Sequence, residues 1–150
     1  MRVVVQRVSA ASVAIGGRET GRIKCGLLIF VGIEAADNAA DGEWLAGKLV
    51  KLRIFSDESG QMNRSVVDVA GDILLISQFT LHASTKKGTR PSFNQAAPSG
   101  HAKALYENFI AQLSAAFGQA VTTGEFGAEM QIALVNDGPV TLIIDSKTRE

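Results

Sequence analysis

The sequence has 150 residues, 46% hydrophobic and 20% charged, which suits one domain spanning 1–150 with a core that needs no disulfide or metal. Fifteen basic residues balance fifteen acidic ones, which excludes capture of nucleic acid by bulk charge but leaves open a local grip on an RNA end. The lone Cys25 cannot bridge its own chain, the first dozen residues alternate where a signal peptide would be uniformly apolar, and nothing approaches the ~20 apolar residues of a membrane span, so a cytoplasmic protein is expected.

Residues 1–8 read as a strand, with Val3 and Val5 on one face and Val4, Gln6 and Val8 on the other. Residues 12–15 and 19–23 read as a hairpin turned at Gly16-Gly17. The apolar run 26–33 suits a strand buried on both faces. Residues 41–52 have helical spacing, with Trp44, Leu45, Leu49 and Leu52 on one side. A short strand is expected near 53–55, residues 62–68 are ambiguous, and 72–81 read as a second strong strand. Residues 82–98 form a long loop carrying Lys86, Lys87 and Arg90, and loops of that length are often functional. Ser99 is placed as the N-cap of a helix whose stripe is Leu105, Phe109, Leu113 and Phe117, stopped by Gly118. The tail holds strands near 120–123, 131–135 and 140–145, the last two interrupted by Asn136-Asp137-Gly138-Pro139. The expected fold is α+β and mostly antiparallel, a barrel-like sheet covered by two amphipathic helices.

The usual side-chain engines are missing. Ser77 lacks the G-x-S-x-G frame of a nucleophile elbow, and along a strand His82 would face away from it. His82 and His101 have no metal-ligand spacing, Cys25 reads as a small core or edge residue, and no glycine-rich loop cradles a phosphate. No metal and no cofactor are therefore expected. Two polar interruptions at strand ends remain, Ser77-Gln78-Phe79-Thr80-Leu81 and Asn136-Asp137-Gly138-Pro139-Val140-Thr141. On residues alone, the second is an ordinary turn in which Gly and Pro supply the dihedrals.

These two segments resemble the SQFTL and NxGPVT motifs of the D-aminoacyl-tRNA deacylases. The resemblance runs nearly end to end, through 1–8, Gly26-Leu27-Leu28, Met62-Asn63, Arg90-Pro91-Ser92-Phe93, Leu105-Tyr106 and 123–127. Departures stand at His82 and Ala83, where a tyrosine and a glycine are common, and at Arg64, where an apolar residue is common. They bear on loop shape and pocket lining.

The resemblance implies a homodimeric hydrolase that cuts D-amino acids, and glycine mischarged on tRNA-Ala, from tRNA. It implies a cis Gly138-Pro139 peptide whose carbonyls enter the partner subunit's active site, bind the substrate's amino group and leave no room for an L side chain. Ser77, Gln78, Phe79 and Thr80 would form the facing wall, with backbone N–H groups, Phe79's above all, polarising the ester carbonyl. Thr80 is expected to position rather than attack, since no base accompanies it. The substrate's own 2′-hydroxyl would relay the proton. Arg7 and Asn136 would serve the Gly-Pro loop, Arg7 by holding its orientation, and Phe93 would stack on adenine or pack the loop. Arg7 and the 136–141 segment favour the D-specific branch of the fold over the branch with a trans Gly-Pro. Lys86, Lys87 and Arg90 are the best local cluster for an acceptor stem, although a solvated loop would look the same. The resemblance implies RNA as the partner, with no DNA and no membrane. The competing expectation is a non-catalytic RNA-end or small-ligand binding module on the same fold.

Overall fold

The computed structural model describes residues 1–149. One sheet runs β2-β1-β3-β6-β7, with β8 along the free side of β1. Its strands are β1 (Arg2–Ile15), β2 (Arg18–Ile23), β3 (Gly26–Gly32), β6 (Asp72–Ser77), β7 (Thr122–Thr123) and β8 (Met130–Asp145). Two short strands, β4 (Phe55–Ser56) and β5 (Met62–Arg64), pair separately. The helices are α1 (Ala39–Leu49) and α2 (Ser99–Phe117).

The hairpin at Gly16-Gly17 forms as expected, with φ of 58° and 79° at the two glycines. Consecutive positive φ values fit a tight primed turn and cost glycine little. The strands on its first side differ from expectation. Residues 2–15 are one strand, not two, because β8 accompanies β1 along its whole length. The pairing register slips between Gln6 and Val8 and again between Val8 and Ala10. Such irregularities change which face the following residues occupy. Val3 and Val5 join the core under the helices, whereas Val8, Ala11 and Val13 join a second core on the other face.

The β1–β3, β1–β2 and β1–β8 pairs are antiparallel, as expected, but β3–β6 and β6–β7 are parallel. Parallel neighbours need a crossover, and α1 and α2 lie in those connections. The apolar runs of β3 and β6 are accordingly buried on both faces. Leu27, Ile29, Ile73 and Leu75 meet the helical layer; Leu28, Leu74 and Ile76 fill the second core. The sheet curls until β2 nears β7: a Cβ on Gly21 would stand 2.8 Å from Thr122 Cγ2. That close approach makes the architecture barrel-like.

Asn38 caps α1, accepting from the Ala40 N–H at 2.9 Å, and the Asp41 carboxylate accepts from the Asn38 N–H at 2.9 Å. Burial pushes the Asp41 carboxyl up, but bonds from Lys147, Asn38 and Ser146 outweigh it and hold the group at about 2. Ser99 proves to be the first residue of α2 and not its cap; Pro98 takes that position, without a side-chain bond. Phe109, Leu113 and Phe117 are buried as the stripe requires, Leu105 is half-buried, and Gly118 ends the helix at φ 82°. The Tyr106 hydroxyl donates to the Leu75 carbonyl at 3.1 Å, which ties α2 to β6 just before that strand's polar end.

Candidate active site

β6 stops at Ser77, four residues earlier than the sequence suggested. The Gln78 N–H donates to the Val31 carbonyl at 2.7 Å, and the chain then tightens into a 3-10 turn over Phe79–His82. The expected strand alternation of Ser77 and Phe79 against Gln78 and Thr80 therefore does not occur. Leu81 N–H donates to the Gln78 carbonyl at 3.2 Å and Ala83 N–H to the Thr80 carbonyl at 3.0 Å. As the opening residues of the turn, Phe79 and Thr80 carry N–H groups that the turn itself does not use. The Gln78 side-chain amide donates to Thr80 Oγ1 at 2.6 Å, which fixes both side chains.

His82 faces inward. It is buried against Gly32, where a Cβ would lie 3.0 Å from its Cδ2, and its Nε2 has no partner among the described residues. It packs the back of the turn and does not line the cavity described next. Cys25 is exposed in the connection between β2 and β3, an edge residue and not part of the core.

A cavity of about 520 Å³ opens at this turn, walled by Ser77, Gln78, Phe79, Ala97, Phe126 and Met130 among others. None of its lining residues is charged, and none is His, Cys or Tyr. No group of three His, Cys, Asp or Glu side chains gathers anywhere among the described residues. Phe79 is 55% exposed and Phe93 40%, and their rings meet edge to face at 5.2 Å. Phe93 thus packs against the motif itself. Neither Phe126 nor Met130 is marked as a site residue by the sequence. Phe126 leans on Tyr106 with ring centres 5.8 Å apart, a contact with helix α2 that only the folded chain reveals.

The second motif lies inside β8. Asn136 pairs with Val8 and Thr141 with Gln6, so residues 137–140 bulge out opposite Arg7 alone. This is neither a turn between two strands nor a hairpin, because both halves of β8 pair with the same neighbour. The Gly138–Pro139 peptide is cis, and both residues are exposed. Three groups hold the bulge. Asn136 Nδ2 donates to the carbonyls of Arg7 at 2.9 Å and Val140 at 3.2 Å, closing it like a clasp. Arg7 Nε donates to the Asp137 carbonyl at 2.9 Å, while another guanidinium nitrogen reaches the Ile54 carbonyl. Arg7 is only 11% exposed, and Asp137 Oδ2 lies 3.2 Å from its Nε. A planar cation with several donors suits this double anchorage.

Within one chain the two motifs stay apart. No hydrogen bond joins them among the described residues, and neither Arg7 nor any of 136–141 lines the cavity. Around the bulge, β8 pairs only with β1, and Leu134, Val135 and Ile143 stand exposed on it. No helix is long and apolar enough to cross a membrane among the described residues.

The model of a protein family described as D-Tyr-tRNA(Tyr) deacylase matches residues 4–145. A D-aminoacyl-tRNA deacylase of Dechloromonas aromatica is 58% identical over 150 residues, covering all of both chains. One of Flavobacterium johnsoniae is 57% identical over the same full length. A solved structure described as a c-Myc DNA Unwinding Element Binding Protein superposes with a TM-score of 0.92 at 39% identity, covering 97% of this chain and 98% of that one. A probable eukaryotic D-amino acid tRNA deacylase, 18% identical, shares the fold with a TM-score of 0.83 over 96% of this chain and 98% of that one. With the family model spanning nearly the whole chain and both motifs inside the match, this chain belongs to the D-Tyr-tRNA(Tyr) deacylase family.

Proposed function

We propose that this chain is a D-aminoacyl-tRNA deacylase, a cytoplasmic hydrolase that releases D-amino acids, and glycine mischarged on tRNA-Ala, from tRNA. The observation that carries the reading is the full-length identity to deacylases combined with an uncharged cavity at the Gln78–Thr80 turn. With no side-chain acid or base facing that cavity, the chemistry falls to backbone dipoles and to the substrate. The terminal nucleoside and its ester occupy the cavity, and the Phe79 and Thr80 N–H groups polarise the ester carbonyl as negative charge grows on it. A water oxygen bonds to the carbonyl carbon as the bond to the ribose 3′-oxygen breaks. The water's proton passes by way of the 2′-hydroxyl to that leaving oxygen.

Chiral selection comes from the second motif, delivered by a partner subunit. Arg7 and Asn136 anchor the Gly138-Pro139 bulge at its base and leave its crest exposed, the form expected of an element that works outside its own chain. The open edge of β8, with Leu134, Val135 and Ile143, offers an apolar face for an isologous dimer. The Gly138 and Pro139 carbonyls accept hydrogen bonds from the substrate's α-amino group. An L side chain then projects into the backbone wall, a D side chain points to solvent, and glycine has nothing to exclude.

The test is incubation with D-Tyr-tRNA and L-Tyr-tRNA. Release of tyrosine from the D ester alone is expected. A binding module is the second reading, favoured by the name of the 39% identical structure, which describes a binding protein. Tight binding with both esters left intact would establish that reading and end the first. Thr80→Val separates positioning from nucleophilic attack. It removes the acceptor of the Gln78 amide, worth one neutral hydrogen bond, so activity should fall by less than about tenfold. Complete loss in a folded variant would make Thr80 a nucleophile.

A further inference from the structure

We infer that residues 84–92 form an arm that grips phosphates of the single-stranded 3′ end of the tRNA, serving binding and not chemistry; this rests on the deacylase reading above. Ser84 and Ser92 exchange both backbone bonds, N–H to carbonyl, at 2.8 and 2.9 Å, which turns part of the long loop into a closed hairpin-like arm. Gly88 turns its tip at φ 73°. Lys86, Lys87 and Arg90 stand exposed around that tip. From 82 to 98 the sequence contains no Asp or Glu. Among the described residues none of the three cations meets a carboxylate; the same holds for Lys51 and Arg53 after α1, but those line a different surface from the cavity at the Gln78–Thr80 turn. In a chain of zero net charge this is a segregated positive element, and segregation is what an anionic partner requires.

Its placement gives the anion a source. Phe93 follows the closing Ser92 directly and meets Phe79 edge to face, so the foot of the arm is fixed at the cavity mouth. Ala96 and Ala97, a few residues on, line the cavity itself. From foot to tip the arm spans four residues, at most roughly 13 Å at ~3.3 Å per residue. Nucleotides rise ~3.4 Å each along a stacked strand. The tip cations therefore meet phosphates about three or four nucleotides upstream of an ester held in the cavity. Charges there strengthen capture without touching the reacting atoms.

The triple variant K86A/K87A/R90A tests this on two substrates, D-Tyr-tRNA and D-tyrosyl-adenosine, which keeps the ester and has no phosphate. For the tRNA, KM should rise on the order of tenfold with kcat within about twofold. The slope of log kcat/KM against log salt should shrink by about 2, the yield of three lost single-strand phosphate contacts. Turnover of D-tyrosyl-adenosine should not change, and K86R/K87R should behave as the native chain. Equal losses on both substrates would assign the arm to shaping the catalytic turn and overturn the inference. So would an unchanged tRNA KM, which marks a solvated loop, or a shift to monomer, which marks a subunit or other protein contact. Failure of the native chain to cleave D-Tyr-tRNA would instead overturn the deacylase reading beneath it.

Discussion

Gly138→Ala should lower kcat/KM for D-Tyr-tRNA by about 100-fold while leaving the protein folded. A Cβ at this position would lie 2.8 Å from the Val140 nitrogen and 3.2 Å from Asn136 Oδ1. The first contact is with backbone and cannot be relieved by a rotamer change. The second is with the side chain whose amide clasps Arg7 and Val140. Relief must come from the crest of the bulge, and that moves the carbonyls proposed to hold the substrate's amino group. A displacement near 1 Å at a positioning group costs about 10²-fold in rate. Stability should barely change, because residues 136–139 are exposed and the flanking pairs of β8 with β1 lie outside the bulge. The measurements are steady-state kinetics on D-Tyr-tRNA and a thermal melt. Activity within threefold of the native chain would remove the bulge from the reaction. If the bulge also enforces chirality, the residual activity of Gly138→Ala should discriminate less well between D- and L-Tyr-tRNA.

The parts of the fold decided by neighbouring residues were legible in the sequence. Gly16-Gly17 needs only its own dihedrals to specify a hairpin, and Gly118 only its left-handed conformation to end α2. The apolar run at 26–33 announced a strand buried on both faces, and it is, while the run at 73–76 announced a second strand. Elements decided across space were not legible. The continuity of β1 depends on β8, more than a hundred residues away, and the register slips that turn its pattern over belong to that pairing. β6 ends where its ladder with β3 ends, at the Val31–Ser77 pair, and the chain then turns through the Leu81 N–H bond to the Gln78 carbonyl, so the SQFT residues read by themselves suggest more strand than the neighbour can pair. The capping box of α1 was available in Asn38 and Asp41, three positions apart, but the helix was started too late to use it. The site divided in the same way. Both motifs were found by resemblance, and the structure adds that Arg7 Nε donates to the Asp137 carbonyl of the bulge. The rear wall, with Phe126 and Met130, is assembled from the tail of the chain, and no local spacing marks those residues as cavity lining.

Asp37→Ala should cost about 3–5 kcal/mol of stability, far more than a typical single-residue change. The Asp37 carboxylate and the Met1 ammonium form an ion pair whose side-chain exposures are 0% and 1%. The ammonium also donates to Ser146 Oγ at 2.8 Å. A buried pair adds little over an apolar replacement of both groups, but removing one partner strands the other charge without compensation. The carboxylate also accepts the Glu34 N–H at 2.8 Å, so the same substitution loosens the segment between β3 and α1. Asp37→Asn keeps a polar group of the same shape and should lose less than the alanine variant, though the stranded charge remains. Urea unfolding at one fixed protein concentration measures both, since association would shift the midpoint with concentration. A loss under 1 kcal/mol for the alanine variant would show that the ammonium finds water without disturbing the fold. The consequence reaches the Phe79–His82 turn through the next residue. Arg2 donates to the Leu81 carbonyl at 3.0 Å and to Asp145 at 3.0 Å, so the anchored N-terminus braces the Phe79–His82 turn from behind. Loosening Met1 should therefore weaken activity at temperatures below the global unfolding transition, because the N–H groups proposed to polarise the ester can do so only while the turn is held in place.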